Sequence, residues 1–273
     1  MTKQKIRIDL ARILETANVG IRRAAVFMGL GVNLASESTF KKYELTDEVN
    51  IQIVPSGAND DAIQHYKDEF KDWVIANGVR ELIEAFSVYL DQIYHACLLV
   101  DLVKNKKTLQ QVEDARETFS NLGFPNKLNN LYQKSGIQPK KPDYIKILHS
   151  ARNCLTHRRG IVSKNDCNIA DALQIKWLGF DAHIHTPNGD KHSAFDLPEG
   201  GLSLPNGGNL IVTKVEREIT FKINSSIQIS ANALSEICWY MLNEAYSVFS
   251  ETIEFMKNSG IKVNDYRENN ISN

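Results

Sequence analysis

Arg152, Asn153 and His157 lie within six positions, in the run Arg152-Asn153-Cys154-Leu155-Thr156-His157-Arg158-Arg159-Gly160. An RNA phosphodiester cut by its own 2′-hydroxyl needs a base, a cation on the phosphate and a proton donor for the leaving oxygen. Arginine grips phosphate oxygens with a planar, permanently charged fork. Histidine gives or takes a proton near neutral pH. An asparagine amide can orient either one. These are the groups of a metal-free ribonuclease.

The spacing alone carries little weight, since chance supplies an arginine with a histidine five to seven places later about once in such a chain. The weight rests on the adjacent Asn153 and on the helix that must carry the motif. Pro142-Asp143 reads as a helix start, because proline suits the first helical position and aspartate the positive end. Gly160 reads as its end. On that helix Tyr144, Leu148, Ala151 and Leu155 form an apolar stripe. His149, Asn153 and His157 recur every four residues on another side. A five-residue step sets Arg152 and His157 about 140° apart around the axis. They therefore need a cleft, or a seam between two copies, to meet on one phosphate.

The surrounding chain is read mostly as helix. A first helix over about 5–35 is expected to break at Asn18-Val19-Gly20. Val49–Val54 alternates like a short strand. A helix from Asn59-Asp60-Asp61 carries Ile63, Tyr66, Phe70, Trp73 and Val74, and Asn77-Gly78 is expected to interrupt it. Val79, Leu82, Ile83, Phe86, Leu90, Ile93, Cys97 and Val100 mark a long amphipathic helix over about 79–104. Shorter helices follow over about 108–121 and around Leu128, Leu131 and Tyr132. Leu173–Ile184, Leu210–Val215 and Glu218–Ile223 read as strands, with loop over 186–208. Ser230 can cap a final helix over about 231–258. Trp73, Trp177 and Trp239 are expected in the core. The fold class is therefore mainly α: a helical bundle with a small antiparallel β insertion, about 162–228, before the last helix. The expected division is 1–76 as an N-terminal extension, 77–260 as the main domain and 261–273 as a flexible tail.

The chain has 273 residues and a formal net charge of −1. No global field recruits nucleic acid, so any basic surface must be local. Lys140, Lys141, Lys146, Arg152, Arg158, Arg159 and Lys164 face only Asp143 between residues 138 and 165, and Lys146, Arg158, Arg159 and Lys164 are the candidate RNA contacts. The four cysteines form no CxxC pair and read as buried small hydrophobes of a reducing compartment. No apolar signal core or bilayer-length apolar run is apparent, so a cytoplasmic protein without membrane contact is expected. His183, His185 and His192 could be read as a zinc site, though exposed strand residues are the simpler reading. No metal and no cofactor are expected.

The segment RNCLTHRRG resembles the signature of the HEPN superfamily, an arginine, a polar residue directly after it and a histidine a few positions on. The resemblance covers about 79–160 and the final helix, and leaves out residues 1–75 and the β insertion. It implies an up-and-down helical bundle, commonly a homodimer, and in many members a metal-independent endoribonuclease of toxin–antitoxin, phage-defence or RNA-processing systems. It maps the catalytic positions onto Arg152, Asn153 and His157, with RNA as partner and an antitoxin or nucleotidyltransferase as a further one. The alternatives are a non-catalytic HEPN-like module that binds RNA or protein, and a structural helical domain in which Arg152 pairs with a carboxylate.

Overall fold

In the computed structural model of the chain, residues 7–36, 59–104, 107–195 and 200–263 are described. Six α-helices and three strands occur among them. They are α1 (Leu10–Ser36), α2 (Asp60–Lys104), α3 (Leu109–Ser120), α4 (Phe124–Ser135), α5 (Pro142–His157), β1 (Ala172–His185), β2 (Lys191–Ser193), β3 (Asn209–Lys222) and α6 (Ala231–Asn258). The fold is mainly helical, with a small antiparallel sheet before the last helix, as expected.

α2 is the central element. Every residue of its expected stripe from Val79 to Val100 is buried, and α1, α3, α4, α5 and α6 all pack on it. Contrary to the expectation of no bilayer-length apolar run, it is also the one described helix long and apolar enough to cross a membrane. Half of that apolar window is covered inside the fold.

Two glycines expected to break helices, Gly20 and Gly78, are instead contact points, and Gly31 is a third. α1 runs unbroken past Gly20, and α2 runs unbroken past Gly78. A Cβ built on Gly20 would lie 2.0 Å from the Ala85 Cβ. At Gly31 it would lie 2.7 Å from Val74, and at Gly78 it would lie 2.7 Å from Leu234. The missing side chains let helix axes approach, which offsets the entropy that glycine costs inside a helix. The expected boundary at 76/77 therefore falls in the middle of α2. Ala17, Ile21, Ala24 and Met28 of α1 join the same core as the rest of the fold.

Helix ends follow their chemistry. Thr108 and Gln111 form a reciprocal capping box on α3, and Ser230 caps α6. α5 has no cap from its own N-cap side chain. Buried Glu244 of α6 accepts from the Lys141 N–H at 3.2 Å, and the Tyr240 hydroxyl donates to the Lys141 carbonyl at 3.0 Å. Burial raises the Glu244 pKa, opposed by the backbone N–H groups of Lys141 and Lys140. The start of α5 is thus fixed from α6.

The sheet order is β2-β1-β3, all antiparallel. β3 is one strand of 14 residues rather than the two expected, because its pairing with β1 continues without interruption from Asn209 to Lys222. Tyr144 of α5 donates to Glu216 of β3, which ties the hairpin to the motif helix and pushes the tyrosine pKa up to about 12. Trp177 is buried and Trp239 half-buried, but Trp73 is 61% exposed, contrary to expectation. Tyr66 and Phe70 are exposed with it. Cys97, Cys154 and Cys238 are buried and all four cysteines are free. Burial pushes the Cys97 and Cys238 thiols up to about 12. Ile261 and Val263, placed in the expected tail, pack against Ala96, Val100 and Met256. The expected strand at 49–54 and the chain beyond 263 lie outside the described residues.

Candidate functional site

α5 buries Ile145, Leu148, Ala151, Cys154 and Leu155. That seats the apolar face and leaves Asn153 and His157 toward the opposite side, with Arg152 on the flank of the buried face, as the periodicity requires. The C-terminal turn of α5 is held from α2. Arg80 donates from Nη2 to the Leu155 carbonyl at 2.7 Å and from Nη1 to Asn77 Oδ1 at 3.2 Å. A cation at this position also suits the negative end of the helix.

Around Arg152 the groups form a chain. Its Nη2 lies 2.6 Å from Glu84 Oε1 of α2, and its Nη1 donates to Asn153 Oδ1 at 3.1 Å. Its Nε is buried without a hydrogen-bond partner among the described residues. Asn153 Nδ2 faces His149 Nε2 at 3.4 Å. The His149 ring stacks on Phe124 of α4, with centroids 5.2 Å apart. Burial first, and the Arg152 charge second, lower the His149 pKa. Glu84, Arg80 and Phe124 went unnoticed in the sequence because each is remote from the motif in the chain. His149 belongs to the polar stripe with Asn153 and His157, which as a metal stripe would lack a carboxylate at ligand spacing on that helix.

His157 is exposed as the last residue of α5. It lies one helical turn, about 6 Å of rise, beyond Asn153. The structure thus brings Arg152 and Asn153 into one network, with His157 further along the same helix. Glu84 also lines an open groove of about 780 Å³ flanked by α1 and α2, together with Arg12, Thr16, Arg23 and Glu81. Glu84 is therefore shared between the groove and the Arg152 network.

The basic residues divide. Arg158, expected among the RNA contacts, reaches Asp166 with two nitrogens, Nε at 3.0 Å and Nη2 in a second, shorter bond. Asp166 also accepts from the Ser163 N–H at 2.8 Å and its hydroxyl at 2.7 Å. With Asp166 only 3% exposed, this is a clamp between the end of α5 and the 3₁₀ turn Lys164–Asp166. Arg159, with φ of 51°, and Lys164 are exposed. Lys146 pairs with Asp143 at 3.3 Å. α5 has 16 residues and spans about 24 Å, so Lys140 and Lys141 at its start stand apart from Arg159 and Lys164 past its end. The cations do not make one patch.

His183 and His185 pair with Ser193 and Lys191, and Ile184 with His192. No group of three or more His, Cys, Asp or Glu is placed to hold a metal ion among the described residues.

No family model, no curated protein and no solved structure matches this chain.

Proposed function

We propose that this chain is a HEPN-like, metal-independent endoribonuclease with an up-and-down bundle architecture. The observation that carries the reading is the network of Glu84, Arg152, Asn153 and His149, in which Glu84 lines an open groove, with His157 exposed on the same helix as Arg152. Arg152 stabilises the pentavalent phosphate in the transition state, and Asn153 orients the guanidinium. His157 takes the proton of the 2′-hydroxyl while O2′ bonds to phosphorus. The P–O5′ bond breaks, O5′ leaves with a proton from the same histidine of a second copy, and a 2′,3′-cyclic phosphate remains. A homodimer supplies that second histidine, since α5 ends in an exposed His157 free to meet its counterpart. Glu84 does not block the arginine: it is 56% exposed, and a solvated pair of this kind is worth about 0–1 kcal/mol. An entering phosphate can displace it. Arg159 and Lys164 would contact the RNA backbone.

A second reading is a non-catalytic HEPN-like module that binds RNA or protein. The Arg152–Glu84 pair itself fits the third reading, a structural helical domain in which Arg152 pairs with a carboxylate, which expects neither RNA binding nor cleavage. The enzyme and the module separate on incubation of mixed RNA with the protein in chelator. The enzyme reading expects cleavage that His157→Ala lowers by ~10²–10⁴-fold, the usual worth of a positioned proton-transfer group, with RNA affinity retained. RNA binding without cleavage, equal in wild type and His157→Ala, selects the module.

A further inference from the structure

The side-chain amide of Asn153 stands between two partners of different character. Arginine can only donate, and Arg152 Nη1 lies 3.1 Å from Asn153 Oδ1. That assigns the amide oxygen to Arg152 and leaves Nδ2, a donor, facing His149 Nε2 at 3.4 Å. A donor facing a ring nitrogen is satisfied only by a lone pair. The arrangement therefore needs neutral His149 with its proton on Nδ1. An imidazolium donates from both nitrogens and would set donor against donor.

The surroundings favour the neutral ring. α4 covers it with the apolar ring of Phe124. α5 offers the Arg152 cation one turn away, and α2 offers Glu84, whose carboxylate is engaged by Arg152. Burial and the Arg152 charge both act against protonation.

We propose that His149 is a positioning residue for Arg152, acting through Asn153: the neutral imidazole holds the amide, the amide holds the guanidinium, and protonation of the ring undoes both. When Nε2 takes up a solvent proton, Asn153 Nδ2 loses its acceptor. The amide then turns Oδ1 toward the imidazolium, which puts Nδ2 against Arg152 Nη1. Arg152 keeps Glu84 alone, and its fork is no longer fixed from two sides. The consequence for RNA cleavage rests on the reading of Arg152 as the phosphate-gripping group. The hydrogen-bond chain itself does not.

The test follows the Asn153 side-chain amide by NMR from about pH 7.5 to about pH 5, the range in which histidines titrate. Wild type is compared with His149→Gln, whose amide oxygen can accept from Asn153 at every pH. In the wild type the Asn153 amide protons shift with the same midpoint as the His149 ring, and in His149→Gln that transition disappears. An Asn153 amide indifferent to the His149 titration, or a transition that persists in His149→Gln, overturns the proposal. Cleavage gives a second readout. His149→Gln loses less than about 10-fold at neutral pH and declines less steeply in acid than wild type, while His149→Ala loses about 10²-fold through misplacement of the guanidinium. Equal loss in both variants would make His149 a proton-transfer group and refute a positioning role. If wild type cuts no RNA, the ribonuclease reading fails by itself and the Asn153 titration still decides this inference.

Discussion

Glu84 Oε1 lies 2.6 Å from Arg152 Nη2, joining α2 to the motif helix across 68 positions of sequence. A second arginine–carboxylate pair, Arg158 with Asp166, closes the far end of the same helix. The two differ in the state of the acid. Glu84 is 56% exposed and Asp166 3% exposed. When its arginine is removed, the first carboxylate regains water and the second does not.

That difference sets the cost of breaking each pair. Arg152→Ala leaves a carboxylate that water can reach, and the loss of the pair is expected to lower stability by less than about 1 kcal/mol. Arg158→Ala leaves a buried carboxylate without its cation, and the expected loss is about 3 kcal/mol or more. Denaturant melts of the two variants check this. Similar losses for both would mean that the Arg152 pair is a structural clamp like the other.

RNA binding should depend on the exposed cations rather than on Arg158. Arg159→Ala and Lys164→Ala should each weaken binding across sequences and reduce the slope of log affinity against log salt by about 1. Fluorescence titrations at several salt concentrations measure the slope. An unchanged slope in both variants would remove this surface from the RNA path.

Helix glycines should respond to alanine with opposite signs. Gly20→Ala puts a methyl 2.0 Å from the Ala85 Cβ and should destabilise by about 1–3 kcal/mol or more as α1 and α2 are forced apart. Gly29 has nothing within 4 Å of an added Cβ, so Gly29→Ala should stabilise by about 0.5–1 kcal/mol. Thermal melts of the pair decide it, and destabilisation by both would contradict the assigned packing.

Acid should weaken the fold through its half-buried histidines. Burial lowers the pKa of His149 and His95, helped by the charges of Arg152 and Arg116 respectively. Below about pH 6.5 the unfolded chain takes up protons that the folded chain refuses, so stability falls as pH drops toward the folded pKa values. Glu244 and Asp91 act with the opposite sign. Burial raises their pKa, so the folded state binds their protons more readily and acidification relieves the cost of a buried charge. Unfolding free energies of wild type and His149→Gln isolate the histidine contribution. The variant should show the shallower loss between about pH 7 and about pH 5.5, and parallel curves would contradict the assignment.

Much of this fold was legible as periodicity. The buried stripe of α2, the bounds of α5 set by Pro142 and Gly160, and the last helix after Ser230 all follow from spacing and capping chemistry. Gly20 and Gly78 misled because glycine has one appearance in sequence and two uses, ending a helix or letting two helices touch. Trp73 was read as core because an apolar residue on a helix stripe carries no record of whether anything packs over it. Arg158 looks like a free cation in sequence because its partner Asp166 lies eight residues on, past the end of the helix, where no helical spacing links the two. Within the site, Arg152, Asn153 and His149 were visible as neighbours on one helix. Glu84 was not, because pairing across helices depends on tertiary packing that local spacing does not encode.

The chemistry of the RNA ends left by the protein in chelator is the most direct measurement of the proposed function. Attack by the 2′-hydroxyl must leave a 2′,3′-cyclic phosphate on one fragment and a 5′-hydroxyl on the other. Replacing the nucleotide at the cut with its 2′-deoxy form should abolish cleavage there, and Arg152→Ala should remove the cyclic ends. Products ending in 3′-hydroxyl and 5′-phosphate, cleavage that persists at the 2′-deoxy position, or cyclic ends produced equally by Arg152→Ala would contradict a metal-independent ribonuclease built on Arg152.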